Sequence, residues 1–196
     1  MNIFEKFKFI LKKPKVIIVT GNSRQTAKKA IFQVLKSYFK VEKEILILES
    51  EKEKIEDFSF YLKNSKKAAV VITQGAKELT SLVKNLPLQT NLIFNFDFDN
   101  EIIREIKDMT GLNTLTFGFQ EGADLRVTDV KLNHETNFKI NYQGNIVPVW
   151  LEGILGKEQI YDTLAAACVG IIFNLNLIEI SQALKNYYSL SEKKNH

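Results

Sequence analysis

The residues Val16–Thr26, with the sequence VIIVTGNSRQT, give the strongest indication of fold class in this chain of 196 residues. The first four are β-branched, which is typical of a strand buried on both faces of a parallel sheet. The polar residues Thr20–Thr26 follow as a predicted loop. Apolar residues then recur at helical spacing: Ile31, Val34, Leu35 and Tyr38. This order of strand, loop and helix predicts the start of a βαβ unit.

Three further apolar runs continue the pattern: Ile45–Leu48, Ala69–Ile72 and Leu92–Phe94. Helical patterns near residues 76–84 and 100–109 follow the last two runs. Because strands that alternate with helices form parallel sheets, we predict an α/β fold with a P-loop-type, doubly wound, mainly parallel sheet.

A different pattern begins after Gly111, where four segments alternate in polarity: Thr114–Phe117, Asp124–Leu132, Asn137–Tyr142 and Ile146–Leu151. Gln143 and Gly144 are predicted to form the hairpin turn between the last two segments. We therefore predict a small antiparallel layer over residues 114–151, with Trp150 in the core. Helices are predicted near 157–173 and 176–188, and residues 191–196 as a disordered tail.

The composition excludes several classes of protein. Hydrophobic residues make up 45% of the chain and charged residues 26%, with 9 Gly and 3 Pro, which excludes disordered and collagen-like chains. The single cysteine, Cys168, excludes an intrachain disulfide and a cysteine metal cage, and it fits a cytoplasmic protein. The longest apolar stretch, Leu164–Phe173, is shorter than the roughly 20 residues that span a bilayer. We predict neither a transmembrane helix nor a signal peptide.

Residues 1–14 are predicted to form an amphipathic N-terminal helix that ends before Pro14. Its apolar positions have three-and-four spacing: Ile3, Phe4, Phe7, Ile10 and Leu11. Residues 1–40 carry ten Lys and Arg residues against Glu5 alone, a charge of +9, and the rest of the chain carries −5. We expect the apolar face to be covered by the domain itself, by a partner subunit or by a membrane surface. A basic patch of this kind suits anionic partners and is also common on purely solvated surfaces.

The loop Gly21–Thr26 is the first candidate functional site. A loop between a buried strand and a helix binds phosphate, because free backbone N–H groups and the helix dipole both point at the anion. In a Walker loop a glycine precedes a lysine that neutralises phosphate charge, and the next Ser or Thr binds Mg²⁺. The corresponding residues here are Arg24, Gln25 and Thr26.

From this loop outward, the sequence resembles the central, ATP-binding domain of the Mur ligases, which add amino acids or D-Ala-D-Ala to peptidoglycan precursors. The D-alanyl-D-alanine-adding branch is the most similar. Val16–Ala30 resembles the family's strand, phosphate loop and helix, and Asn95–Asp97 resembles its N-x-D-D segment near the nucleotide base. Ala123–Leu151 resembles its antiparallel region, and Gly156–Ala166 resembles its G-x-H-N-x-x-N-x-x-A-A helix. The resemblance predicts one Mur-type domain over residues 15–190.

The resemblance implies ATP and Mg²⁺ as cofactors. The residues that would bind the nucleotide are Gly21, Asn22, Ser23, Arg24, Gln25, Thr26, Asn95 and Asp97. Thr26 and Glu49 are the candidate metal ligands. Asp97 and Asp99 also suit acid/base or metal chemistry, but carboxylates at a strand end before a helix more often cap the helix N-terminus, and both interpretations stay open.

Several positions differ from the family's pattern. Gln25 replaces the phosphate lysine, and Arg24 replaces the glycine before it. Further replacements affect the base pocket and the late helix: Phe98 for the second Asp of the acidic pair, and Glu158, Gln159 and Asp162 for His, Asn and Asn. Residues 74–79, where the family has a metal-site His, contain no histidine. We also expect this chain to lack the family's N-terminal and C-terminal domains.

These differences predict a stand-alone, degenerate Mur-ligase-like domain with no catalytic residue and with weak or absent ATP binding. We expect it to act as a binding or regulatory partner in peptidoglycan biosynthesis, with a protein partner or as a homo-oligomer. One alternative is an ATP-dependent amide ligase domain in which Arg24 replaces the lysine and separate chains supply the other domains. Another is a peripheral membrane or polyanion-binding module that uses residues 1–40. The 14 phenylalanines do not cluster as in nucleic-acid-binding motifs, so no nucleic-acid partner is expected.

Overall fold

A computed structural model of the chain describes residues 2–50, 58–73, 83, 85–98, 106, 112–153, 156–185 and 187. The strands are β1 (Lys15–Thr20), β2 (Ile45–Ser50), β3 (Ala68–Ile72), β4 (Asn91–Asn95), β5 (Asn113–Gly118), β6 (Leu125–Leu132), β7 (Thr136–Tyr142) and β8 (Asn145–Leu151). The helices are α1 (Ile3–Lys12), α2 (Arg24–Leu35), α3 (Ser59–Asn64), α4 (Lys157–Ile172) and α5 (Leu177–Leu184). The predicted tail, 191–196, and nearly all of the predicted helices near 76–84 and 100–109 lie outside the described residues.

The eight described strands form one sheet in the order β2-β1-β3-β4-β5-β6-β7-β8. Neighbouring strands are parallel from β2 to β6, and the β6–β7 and β7–β8 pairs are antiparallel. All residues of β3 and β4 are buried, as are all but the first residue of β1. Continuous apolar runs favour this central position because both faces of the strand are covered. The predicted α/β fold, mainly parallel with an antiparallel part, is confirmed.

Two apolar cores lie on the two faces of the sheet. Side chains alternate between the faces of a strand, so Ile17 and Val19 of β1 belong to one core and Val16 and Ile18 to the other. The first core contains the buried faces of α2, α4 and α5. The second contains Leu62 of α3 and residues from several other elements. Together the two cores cover the central strands and leave the carboxyl ends of the strands free to form a site.

Helix α1 forms as the sequence predicts. Asn2 caps its first turn by accepting a hydrogen bond from the Glu5 N–H at 2.8 Å, and the Glu5 carboxylate accepts one from the Asn2 N–H at 2.9 Å. Lys13 ends the helix in a left-handed conformation with φ 42°. The domain does not cover the predicted apolar face, because Phe9 is the one helix residue that is buried. The expectation that the domain itself covers the apolar face of this helix was therefore wrong.

Strand β5 differs from its prediction as an alternating, antiparallel strand. It pairs in parallel with β4, and β6 pairs in parallel with it through two residues, so antiparallel pairing begins at β6–β7. The polar Thr116 is completely buried, and its hydroxyl donates a hydrogen bond to the Asp124 carboxylate at 2.6 Å. A buried threonine that is hydrogen-bonded to a side chain looks like an exposed residue in the sequence.

The turn at Gln143 and Gly144 is confirmed, with φ 47° and 79° at the two residues, as a two-residue hairpin requires. In the following strand, β8, Val149 and Leu151 are buried while Trp150 between them is half exposed. The prediction of Trp150 as a core residue was wrong, because the other alternate set of side chains faces the core. In the described part of the chain, no helix combines the length and the apolar character that crossing a bilayer requires.

Candidate functional site

The candidate site lies at the carboxyl ends of the parallel strands, where ligands bind in open α/β sheets. Thr20 ends β1, Asn95 ends β4, and Thr73 directly follows β3. The backbone N–H and the hydroxyl of Thr73 both donate hydrogen bonds to the Thr20 carbonyl at 3.0 Å. The hydroxyl of Thr20 is buried and has no hydrogen-bond partner. This edge therefore holds a group of polar residues between two apolar cores.

The loop after β1 has the shape that its glycine predicts. Gly21 has φ 104°, a conformation that glycine adopts without steric cost. The Arg24 N–H donates to the Gly21 carbonyl at 3.3 Å, and α2 begins at Arg24. The Ser23 side chain makes no capping hydrogen bond to the first turn of the helix. The loop thus presents a helix N-terminus that no local side chain caps.

The polar side chains of the loop contact the loop backbone. The Arg24 guanidinium donates to the Gly21 carbonyl at 3.4 Å, and the Thr26 hydroxyl donates to the Ser23 carbonyl at 3.0 Å. Asn22 and Gln25 are exposed, and neither carries a charge. In this arrangement the loop's cation and its candidate metal-binding hydroxyl both have partners within the loop.

Glu49, the second candidate metal ligand, lies beside Val19 at the end of β2. Its carboxylate is 3.0 Å from the ammonium of Lys28, one turn into α2. Glu49 and Thr26 therefore approach the same edge of the sheet from β2 and α2, but the negative charge of Glu49 is compensated by a lysine. Among the residues that the structure describes, no three His, Cys, Asp or Glu side chains are grouped closely enough to hold a metal ion.

Asp97 lies in a dense network of hydrogen bonds. Its carboxylate accepts from the N–H groups of Phe119 at 2.8 Å and Gln120 at 2.9 Å, and from the Tyr161 hydroxyl at 2.7 Å. A Cβ at position 118 would lie 2.5 Å from its Oδ1 atom, so the approach requires Gly118. These contacts join the ends of β4 and β5 to helix α4.

Asn95 helps to hold Asp97 in this network of hydrogen bonds. Its side-chain oxygen accepts a hydrogen bond from the Asp97 N–H at 2.9 Å. The structure therefore brings Asn95 and Asp97 together, as the resemblance implies, although the contacts of Asp97 are with β5 and α4.

Tyr161 is the centre of an aromatic wall that the sequence did not predict. Its ring packs edge to face against the ring of Phe119, with 5.2 Å between the ring centres. The ammonium of Lys157 lies 4.8 Å from the centre of the Phe119 ring and 5.4 Å from that of the Tyr161 ring. Burial and the hydrogen bond to Asp97 raise the pKa of the Tyr161 hydroxyl. The hydroxyl therefore stays protonated and donates to the carboxylate at neutral pH.

Asp162 is the second site residue that the sequence did not predict. It is only 3% exposed, and burial raises the pKa of its carboxyl to about 7, with a hydrogen bond to Thr26 opposing the rise and Glu158 adding to it. The carboxyl lines a cavity of about 10 Å³ together with Ser23, Thr73, Phe117, Glu158 and Tyr161. Two signals were available in the sequence: Asp162 stands at the position of the family's second Asn in the late helix, and it is an acidic residue next to the apolar run of α4.

Comparisons with known proteins agree with this architecture, although no protein-family profile matches the chain. Over 90 residues the chain is 31% identical to the UDP-N-acetylmuramate–L-alanine ligase of Clostridium beijerinckii, a match that covers 45% of this chain and 20% of that protein. The structure is similar to that of the MurF ligase of Thermotoga maritima, solved in complex with ADP, with a TM-score of 0.76 and 17% identity. It is also similar to a pseudomurein peptide ligase type C of Methanothermus fervidus, with a TM-score of 0.73 and 18% identity.

The two structural matches cover 94% and 97% of this chain and 51% and 52% of the other chains, so this chain spans about half of each solved protein. The sequence match is to an L-alanine-adding ligase, whereas the structural matches include other branches. What the matches share is the family rather than one branch. The chain is therefore related to the Mur ligases, with sequence similarity over about half of its length and the fold of their central domain over nearly all of it.

Proposed function

We propose that this chain is a Mur-ligase-type domain without ligase activity of its own, which acts in the cytoplasm as a binding or regulatory partner in cell-envelope biosynthesis. The observation that carries the proposal is the state of the loop, in which the Arg24 guanidinium and the Thr26 hydroxyl contact loop carbonyls. Gln25 occupies the position of the family's phosphate lysine and adds no charge.

The chemistry of ATP-dependent ligation explains why this matters. Phosphoryl transfer depends on cations that are already positioned to stabilise the developing negative charge. Here two of the nearby cations have other partners: the Arg24 guanidinium donates to the Gly21 carbonyl, and Lys28 pairs with Glu49. The ion pair with Lys28 also engages the carboxylate of Glu49, which is a candidate metal ligand. Losing one charge-assisted phosphate contact costs about 1.5–3 kcal/mol, or one to two decades in affinity.

The region that the resemblance assigns to the base also supports weak nucleotide binding. Asp97 is already engaged by three donors, and Phe98 and Phe119 pack near Tyr161 with ring centres 5.9 Å and 5.2 Å away. A bound base would have to displace these side chains. On the side of the loop, the cavity lined by Ser23, Thr73 and Asp162 measures about 10 Å³, which is close to the space that one water molecule needs.

Calorimetric titration with Mg-ATP and Mg-ADP tests the proposal. We expect wild-type protein to bind with a Kd weaker than about 1 mM. The double variant Arg24→Gly with Gln25→Lys, which restores the family's residues, should bind at least about tenfold more tightly. Arg24→Gly with Gln182→Lys, which makes the same net change of charge but places the lysine at an exposed position of α5, should not gain affinity. Micromolar binding by the wild type would contradict the proposal and favour a ligase domain that works with separately supplied domains.

A further inference from the structure

Helix α1 is attached to the domain with its apolar stripe facing away from it. Successive helix residues are about 100° apart, so the five apolar positions form one stripe about 120° wide. The exposed fractions of its members are high: Ile3 88%, Phe4 75%, Phe7 61%, Ile10 40% and Leu11 70%. A contiguous apolar patch of this kind on a folded protein marks an interaction surface.

The opposite face of the helix fixes this orientation. Phe9 is only 8% exposed, and its ring packs against those of Phe60 and Tyr61 with centres 5.6 Å and 5.1 Å away. The Lys13 N–H donates to the Phe9 carbonyl at 2.8 Å, and the chain then enters β1 through the buried Pro14. The stripe is thus held outward by packing and by the short connection to the sheet.

Positive charge lies along both margins of the stripe. At about 100° per residue, Lys6 lies beyond one edge, next to Ile10, and Lys8 lies beyond the other, next to Phe4. Lys12 and Lys13 add further positive charge at the end of the helix, and Glu5, the one acidic residue of the helix, accepts a hydrogen bond from the Asn2 N–H. In the structure the Lys6 ammonium lies 5.6 Å from the centre of the Phe60 ring, and Lys8 borders a groove that Glu42 also lines. Both lysines are exposed, and lysine side chains at such margins can extend their ammonium groups towards an anionic surface.

We propose that α1 docks this protein on an anionic lipid bilayer, with its stripe buried at the level of the headgroups. Aromatic and aliphatic residues between two lysine margins are the pattern of helices that lie in a membrane interface. Charge complementarity excludes a second copy as the favoured occupant, because two α1 helices face to face would bring their lysine margins together. This docking is independent of nucleotide binding and goes beyond the proposed function.

Co-sedimentation with vesicles tests the docking. We expect wild-type protein to bind phosphatidylcholine vesicles that contain phosphatidylglycerol, and to bind pure phosphatidylcholine vesicles at least about tenfold more weakly. High salt should weaken the binding because it screens the lysines. Equal binding to both kinds of vesicle, or binding to neither, would overturn the proposal.

Matched variants separate the stripe from the rest of the surface. Phe7→Asp should reduce vesicle binding at least about tenfold. Ile146→Asp changes a residue of the same exposure, 61%, on β8 and should have no effect. Likewise, Lys6→Gln with Lys8→Gln should weaken binding, whereas Lys131→Gln with Lys185→Gln, at exposed positions far along the chain, should not. All four variants should keep the wild-type melting temperature, which makes a loss of binding specific.

Sedimentation velocity without lipid identifies the competing occupant. If the wild type is a dimer that Phe7→Asp dissociates, and neither protein binds vesicles, the stripe is an interface between copies and the lipid proposal is wrong. A fluorescent reporter gives independent evidence: Phe7→Trp in a Trp150→Phe background should shift its emission to the blue on anionic vesicles. An unshifted spectrum would contradict burial of the stripe.

Discussion

Asp162 shows how one buried carboxyl links the site to stability. Its folded-state pKa is about 7, whereas an unfolded aspartate has a pKa of about 3.9. Between these values the folded protein binds more protons than the unfolded chain, so the free energy of unfolding falls as the pH rises through this window. The penalty is complete above about pH 7 and reaches up to about 4 kcal/mol.

Asp162→Asn should remove this pH dependence, because asparagine stays neutral. The free energy of unfolding of the variant relative to wild type should rise by about 2–4 kcal/mol between pH 4 and pH 8, measured by chemical denaturation at both pH values. Asp129→Asn is the control: Asp129 is exposed, and its hydrogen bond to Lys139 lowers its pKa, so its relative stability should not rise. If the difference in free energy of unfolding between Asp162→Asn and wild type is the same at pH 4 and pH 8, the Asp162 carboxyl is not buried as described.

Gly118 and Asp97 form a second pair that a residue-level experiment can isolate. A Cβ at position 118 would come within 2.5 Å of Asp97 Oδ1, so Gly118→Ala should displace the carboxylate and destabilise the protein by about 2–3 kcal/mol. In an Asp97→Ala background the same change should cost less than about 0.5 kcal/mol. A double-mutant cycle by urea denaturation measures this coupling. If the effects of the two substitutions are additive, the Asp97 carboxylate does not lie against position 118.

The position of the candidate site could be predicted from the sequence, but its contacts could not. Gly21 and the polar residues after it follow a β-branched run, and this local pattern is visible without a structure. The Asp97–Tyr161 hydrogen bond joins residues 64 positions apart, and no periodicity connects them. Similarly, the sequence left open an alternative in which Arg24 replaces the phosphate lysine, and it does not show that the Arg24 guanidinium contacts the Gly21 carbonyl.

At the level of elements, α1 is an amphipathic helix whose smaller apolar side attaches it to the domain. The strong stripe in the sequence predicted a covered face, but Phe9, outside that stripe, makes the contact. Strand β5 was predicted as part of the antiparallel layer from its alternating polarity, but it pairs in parallel with β4 and its Thr116 is buried. Element types were therefore predictable from periodicity, whereas the partner of each face depended on tertiary contacts.

Phe9→Ala should destabilise the protein by about 2–4 kcal/mol, because it removes a buried ring from the second core. Phe7→Ala, on the same helix but 61% exposed, should change stability by less than about 0.5 kcal/mol. Guanidinium denaturation of the two variants checks the prediction. Equal effects would mean that the helix is attached through its stripe.

The molecule as a whole is expected to unfold in one step. The first core runs continuously from β1 and α2 through β5 to the antiparallel strands, and α4 contacts residues of both regions. A shared core of this kind gives cooperative unfolding. Trp150, the single tryptophan, lies on β8 at one end of the sheet, while far-UV circular dichroism reports mostly on the helices. The two signals should give coincident urea transitions, and an earlier tryptophan transition would show that the antiparallel end unfolds separately.

Among the described strands, β8 is the outermost on one side of the sheet, and the middle of this strand is closed to further pairing. Pro148 has no N–H to donate, and its carbonyl already accepts a hydrogen bond from the Ser181 hydroxyl of α5 at 2.6 Å. An extended segment of another molecule would therefore find neither a donor nor a free acceptor at the centre of this border. Open borders of sheets are where chains add on to one another and polymerise. Pro148 and Ser181 thus protect the protein against fibril growth at this end, and substituting both would create a seed for aggregation.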